Sequence, residues 1–251
     1  MINSKSHAPI EMITYQTLGS ADGTPLVFIH GLGAGKKQIS SALTNLPGRW
    51  LITPNMPGHG DSTDIDPALF SFDFFADLVI EVMDYLGIDK TDLGGLSMGS
   101  GISLNIALRY PERVKKLILL RPSWLDSPRP DHLELVARVT TGMGANDPDF
   151  RALAGRNPPV AASIAPLFDS PDIAVLEKMW SDSPFDSLDS LKKIAVPSLV
   201  LSSPRDDLHP QEVADAISEV LPNVQSAILP ARYHEPEQYH LELNKQISQF
   251  L

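Results

Sequence analysis

The chain has no cysteine among its 251 residues. That absence excludes a disulfide scaffold, a thiolate metal site and a cysteine nucleophile. Basic residues are scarce as well: 20 Lys and Arg stand against 31 Asp and Glu, for a formal net charge of −11. Nucleic acid and anionic membrane surfaces repel such a chain, so neither is expected as a partner. No uninterrupted apolar run approaches transmembrane length, and the opening "MINSKSHAPIEMITY" lacks the apolar core of a targeting signal. A cytoplasmic protein is expected.

Hydrophobic residues make up 43% of the chain, enough for one domain with a full core. Short apolar runs read as strands: "PLVFIH" (25–30), "WLITPN" (50–55), "VKKLILLRP" (114–122), "VPSLVLSS" (196–203) and "VQSAILPA" (224–231). Helical patterns lie between them. In "SFDFFADLVIEVMDYLG" (71–87), Phe74, Phe75, Leu78, Val82, Tyr85 and Leu86 recur at helical spacing. Ser71 suits the N-cap of that helix and Gly87 its stop. Patterns at 211–221 and 237–251 follow the last two strands. The alternation implies an α/β fold with a mostly parallel sheet and helices on both faces.

Residues 123–190 break this rhythm with frequent Pro and Asp and amphipathic pieces at 131–141 and 172–180. They read as a helical cap inserted in a core domain made of residues 1–122 and 191–251.

The stretch "TDLGGLSMGSG" (91–101) sets a lone hydroxyl among glycines, between an expected strand and an expected helix. Glycine is costly in regular structure, so the geometry of Ser97 must require it. In a strand–turn–helix elbow the residues two before and two after the nucleophile crowd together; here they are Gly95 and Gly99. The turn lifts the hydroxyl above the sheet, at a helix N-terminus that favours developing negative charge.

Taken together, "FIHGLG" (28–33), "NMPGHGDS" (55–62), "GLSMG" (95–99), "PSLVLSSPRDDLHP" (197–210) and "LPARYHEPEQ" (229–238) resemble the α/β-hydrolase superfamily. The resemblance runs from about residue 10 to the C-terminus and is to the small, capped, esterase- and lactonase-like group. It implies a serine hydrolase with the order Ser, Asp, His.

On that resemblance Ser97 is the nucleophile, His234 the base and Asp206 the acid, with Leu32 and Met98 offering backbone N–H groups to the oxyanion. Asp206 is preferred over its neighbour Asp207 by the spacing to Pro210. Of the other histidines, His30 and His59 lie on loops that shape the site, and His209 falls just past the acid. Such chemistry requires neither a metal nor an organic cofactor, and no His/Asp/Glu spacing suggests a metal site. The expected partner is a small-molecule ester or lactone. Hydrolysis of a C–C bond next to a ketone, or a ligand receptor with slow turnover, are the alternatives.

Two features depart from the family. The strand before the elbow reads "KTDLGG", polar and glycine-rich, which points to a short strand or a loose elbow. Arg121 falls at the end of a strand, where side chains face ligand. It is either an anchor for a substrate carboxylate or one half of an ion pair. Trp124, Met143 and Trp180 are expected along the pocket wall.

Overall fold

The fold is taken from a computed structural model, which describes residues 13–44, 46–62, 65–138, 144–165 and 173–251. Seven strands form one sheet: β1 (Tyr15–Leu18), β2 (Thr24–Ile29), β3 (Arg49–Pro54), β4 (Thr91–Leu96), β5 (Val114–Leu120), β6 (Ser198–Ser202) and β7 (Val224–Ile228). Their order is β1-β3-β2-β4-β5-β6-β7. β1 runs antiparallel to β3 at one edge, and every other pairing is parallel.

Side-chain alternation along each central strand builds two core layers. Val27 and Ile29 of β2, Leu117 and Leu119 of β5, and Val200 of β6 enter one layer. It is shared with α2 (Phe72–Tyr85), α3 (Met98–Arg109) and α8 (Gln211–Val220). Leu26 and Phe28, Ile118 and Leu120, and Leu199 and Leu201 enter the other, against α1 (Lys36–Ala42) and α9 (Pro236–Phe250). The apolar runs are continuous because helices cover both faces of the sheet. On α9, Tyr239, Leu243, Ile247 and Phe250 make the buried stripe.

Helix α2 begins as its sequence requires. The Ser71 hydroxyl accepts a hydrogen bond from the Phe74 N–H at 3.1 Å, and Gly87 follows the helix at φ 68°. The expected strand at 224–231 ends earlier, at Ile228. Leu229 N–H still donates to the Ser202 carbonyl, but Pro230 has no N–H with which to continue the ladder.

β4 is neither short nor loose: it spans six residues, all buried. Its Asp92 is tolerated because Arg49 forms an ion pair with it. Gly94 is needed there, since a Cβ would stand 2.4 Å from the Phe28 ring.

Between β5 and β6 the chain leaves the sheet for α4 (Asp131–Arg138), α5 (Pro148–Arg156), α6 (Pro158–Ile164) and α7 (Ile173–Trp180). Val136, Phe150, Leu153, Val160, Ala161 and Ile164 form a separate small core in this cap. The remainder of the expected helix at 131–141 and the start of that at 172–180 fall outside the described residues.

Candidate active site

The C-terminal ends of β2, β4, β5 and β6 and the loop after β7 surround a cavity of about 190 Å³ roofed by the cap. Strand ends of a parallel sheet are where such folds bind ligands.

At the end of β4 the chain reverses at Ser97, with φ 55° and ψ −114°, and enters α3. This is strained backbone for a residue with a side chain. The turn is tight enough that a Cβ on Gly95 would stand 1.9 Å from the Gly99 carbonyl oxygen, and one on Gly99 2.3 Å from that of Ile29. The Ser97 N–H donates to the Leu120 carbonyl at 3.0 Å and so ties the elbow to β5. Ser97 lines the cavity, and its Oγ makes no hydrogen bond among the described residues.

The loop after β2 passes beside the elbow and is held by two buried histidines. His30 Nδ1–H donates to the Gly31 carbonyl at 2.8 Å, while Nε2 accepts from the Met56 N–H at 2.9 Å. His59 Nε2 accepts from the Gly33 N–H at 3.1 Å, and Nδ1–H donates to the Pro57 carbonyl at 3.0 Å. Each ring must be neutral to accept in this way. Burial pushes His30 down to about 3, helped by His59, and pushes His59 down to about 4. Gly31 N–H is taken by Gln38 Oε1 at 2.9 Å. The N–H groups of Leu32 and Met98 have no hydrogen-bond acceptor among the described residues.

Asp206 follows β6 in a turn in which its Oδ1 accepts from the Leu208 N–H at 3.2 Å. Its Oδ2 accepts from Arg121 Nη1 at 2.6 Å and from His209 Nδ1 at 2.9 Å. Burial alone would raise this carboxyl. His209 and Arg121 outweigh it and hold Asp206 well below the usual carboxylate range. Asp207 faces the other way, toward the cap: Arg156 donates to its Oδ1 at 3.0 Å and Asn157 to its Oδ2 at 2.8 Å.

His234, expected from sequence as the base, makes no hydrogen bond to Asp206 among the described residues. The loop after β7 winds directly into α9, with His234 N–H on the Ala231 carbonyl at 3.0 Å and Glu235 N–H on the same carbonyl at 2.7 Å. The turn presents Arg232 and Tyr233 to the cavity instead. His234 Nδ1 is buried without a hydrogen-bond partner. His209, which falls just past the acid in sequence, takes the place on the carboxylate and also lines the cavity. The signal available in the sequence was the Asp-x-x-His-Pro spacing, which folds histidine back onto aspartate in one turn.

Arg121 is 2% exposed, borders the cavity and forms the ion pair with Asp206. Its backbone is left-handed, φ 45°, and its N–H donates to the Leu201 carbonyl at 2.6 Å. Trp124 and Trp180 both line the cavity, with Trp124 set edge-on to Phe72 at 5.7 Å. Met143 lies outside the described residues. Among the described residues no group of three or more His, Asp or Glu is placed to hold a metal ion. No helix among them is long and apolar enough to cross a membrane.

A capped, mostly parallel sheet whose strand ends border a cavity beside a nucleophile-type elbow defines the class. A family model described as the alpha/beta hydrolase fold matches residues 24–155, just over half of the chain, and the protein belongs to that family. It is similar to Lipase 3 of Moraxella sp. (strain TA144), 25% identical over 249 residues that cover 94% of this chain and 79% of the relative. The 2-hydroxymuconate semialdehyde hydrolase of Pseudomonas sp. (strain CF600) is 36% identical over 121 residues, 47% of this chain and 43% of that protein. Among solved structures, the enol-lactonase from Burkholderia xenovorans LB400 superposes with a TM-score of 0.75 at 19% identity, covering 95% of each chain. The chain is thus a hydrolase-fold enzyme with ester- and C–C-bond-hydrolase relatives, on a fold shared with a lactonase.

Proposed function

We propose that the protein is a serine hydrolase that cleaves a small carboxylic ester or lactone through an acyl-enzyme on Ser97. The observation that carries this reading is Ser97 itself, its hydroxyl unbonded among the described residues, on strained backbone at the mouth of α3 and lining the cavity under the cap. Ser97 Oγ attacks the carbonyl and its proton passes to an imidazole held by the Asp206 carboxylate. The oxyanion is received by the unpaired N–H groups of Leu32 and Met98. Protonation of the leaving oxygen breaks the ester bond, and water then releases the acid from Ser97.

Residues 123–190 serve as the lid of this site on a core of residues 1–122 and 191–251. The cavity, about 190 Å³ and walled by Leu133, Val136, Trp124 and Trp180, suits a short apolar acyl group. Local identity of 36% to a 2-hydroxymuconate semialdehyde hydrolase favours, as second reading, C–C bond cleavage beside a ketone by the same serine.

Turnover of p-nitrophenyl butyrate by the wild type and by Ser97→Ala tests the reading. The variant is expected to fold normally and to lose about a thousandfold or more in kcat. A variant within tenfold of wild type overturns it.

A further inference from the structure

We propose that the base for Ser97 is His209, on the same loop as the acid, and not a histidine after the last strand. This assignment rests on the serine-hydrolase reading and adds to it the atom that takes the proton, His209 Nε2.

Asp206 Oδ2 accepts the His209 Nδ1–H at 2.9 Å, which fixes the tautomer and leaves the lone pair on Nε2. Nε2 has no hydrogen-bond partner among the described residues. His209 and Ser97 line the same cavity, so the two side chains border one space, with neither Oγ nor Nε2 hydrogen-bonded among the described residues. The loop that carries His209 is pinned: Ser123 Oγ–H donates to the Leu208 carbonyl at 2.7 Å. Asp206 is held in turn by Arg121 at 2.6 Å. His234 meets none of these conditions. Its Nδ1 is buried and unpartnered, and Arg232 and Tyr233 occupy the cavity wall in its place.

The proton balance closes on His209. As the Oγ–C bond forms, the Ser97 proton passes to Nε2. The imidazolium lies against the Asp206 carboxylate until the leaving oxygen takes that proton and the C–O bond breaks. In deacylation water gives its proton to Nε2, and Ser97 regains it as the acid departs.

The charged groups that face the imidazole are Asp206 on its own loop, Arg121 from the end of β5 and Arg232 from the loop after β7. Burial pushes the imidazole down, Asp206 pulls it up, and the two guanidinium groups push it down again, leaving it at about 4. Nε2 is therefore unprotonated across the neutral range.

The test compares kcat/KM for p-nitrophenyl butyrate, from pH 4 to 9, in wild type, His209→Asn, His234→Gln and Ser97→Ala. Asparagine keeps a donor to Asp206 where Nδ1 stood, so the loop keeps its anchor, and melting curves check folding. His209→Asn is expected to lose about a thousandfold. Its residual rate should climb with hydroxide instead of reaching a plateau, while His234→Gln stays within threefold of wild type.

The wild-type acid limb should lie well below 6.5, the unperturbed imidazole value. Should His209→Asn misfold, His209→Gln takes its place in the same assay, with the same loss expected. A His209→Asn variant that keeps a tenth of the activity or an unchanged pH profile, or a His234→Gln variant that loses as much as Ser97→Ala, overturns the assignment. Loss in Ser97→Ala alongside retention in His209→Asn leaves the serine reading standing and removes only His209. Retention in Ser97→Ala removes the reading itself.

Discussion

Arg121 and His209 hold the same oxygen of Asp206, from opposite ends of the sequence gap that separates β5 from the loop after β6: Nη1 at 2.6 Å and Nδ1 at 2.9 Å. A cation and a neutral imidazole share one carboxylate oxygen. The cation keeps the carboxylate ionised, and the imidazole receives its orientation.

This arrangement predicts how Arg121 variants behave. Arg121 is 2% and the Asp206 side chain 0% exposed. Arg121→Met therefore strands a buried carboxylate, at a cost of about 3–5 kcal/mol in urea denaturation. Arg121→Lys keeps the charge but not the planar fork, and should lose less stability. Both variants should lower kcat/KM for a charged and a neutral ester of equal size by the same factor. A selective loss on the charged ester would show that Arg121 binds substrate directly.

A second prediction concerns acid. His30 and His59 are neutral in the folded protein, at about 3 and about 4, and near 6.5 once unfolded. The unfolded chain thus binds more protons as pH falls. Their contribution is fully present above about pH 6.5 and is lost as pH drops from there toward 4. The slope is on the order of 1 kcal/mol per histidine per pH unit. His59→Gln should flatten that slope in a pH series of denaturation curves; an unchanged slope would mean that another group sets it.

The third prediction contrasts glycines. Gly99→Ala drives a Cβ to 2.3 Å from a backbone oxygen, with no flexible side chain to yield, and should cost about 3 kcal/mol or more. Gly155, in α5, has nothing within 4 Å of such a Cβ, so Gly155→Ala should stabilise by about 0.5–1 kcal/mol. Melting temperatures of the two variants are expected to move in opposite directions.

Local chemistry was readable in the sequence and long-range pairing was not. The elbow showed in Gly95 and Gly99 because a steric need leaves only one residue type. The central strands showed in unbroken apolar runs because both faces are covered. Asp206 stood out by its distance to Pro210. Which histidine meets it depends on how tightly the chain turns after β7, and a difference of one or two residues there decides whether Tyr233 or His234 faces inward. The partnership of Arg121 with Asp206 crosses 85 positions and leaves no periodic trace. The edge strand β1 is four residues long and half-exposed, too short for alternation to register.

Asp206 and Asp207 are consecutive and point in opposite directions, one into the site and the other to Arg156 and Asn157 of the cap. A single peptide unit therefore separates the carboxylate that serves the site from the one that ties the cap to the sheet domain, so adjacent aspartates divide chemistry and anchorage between them.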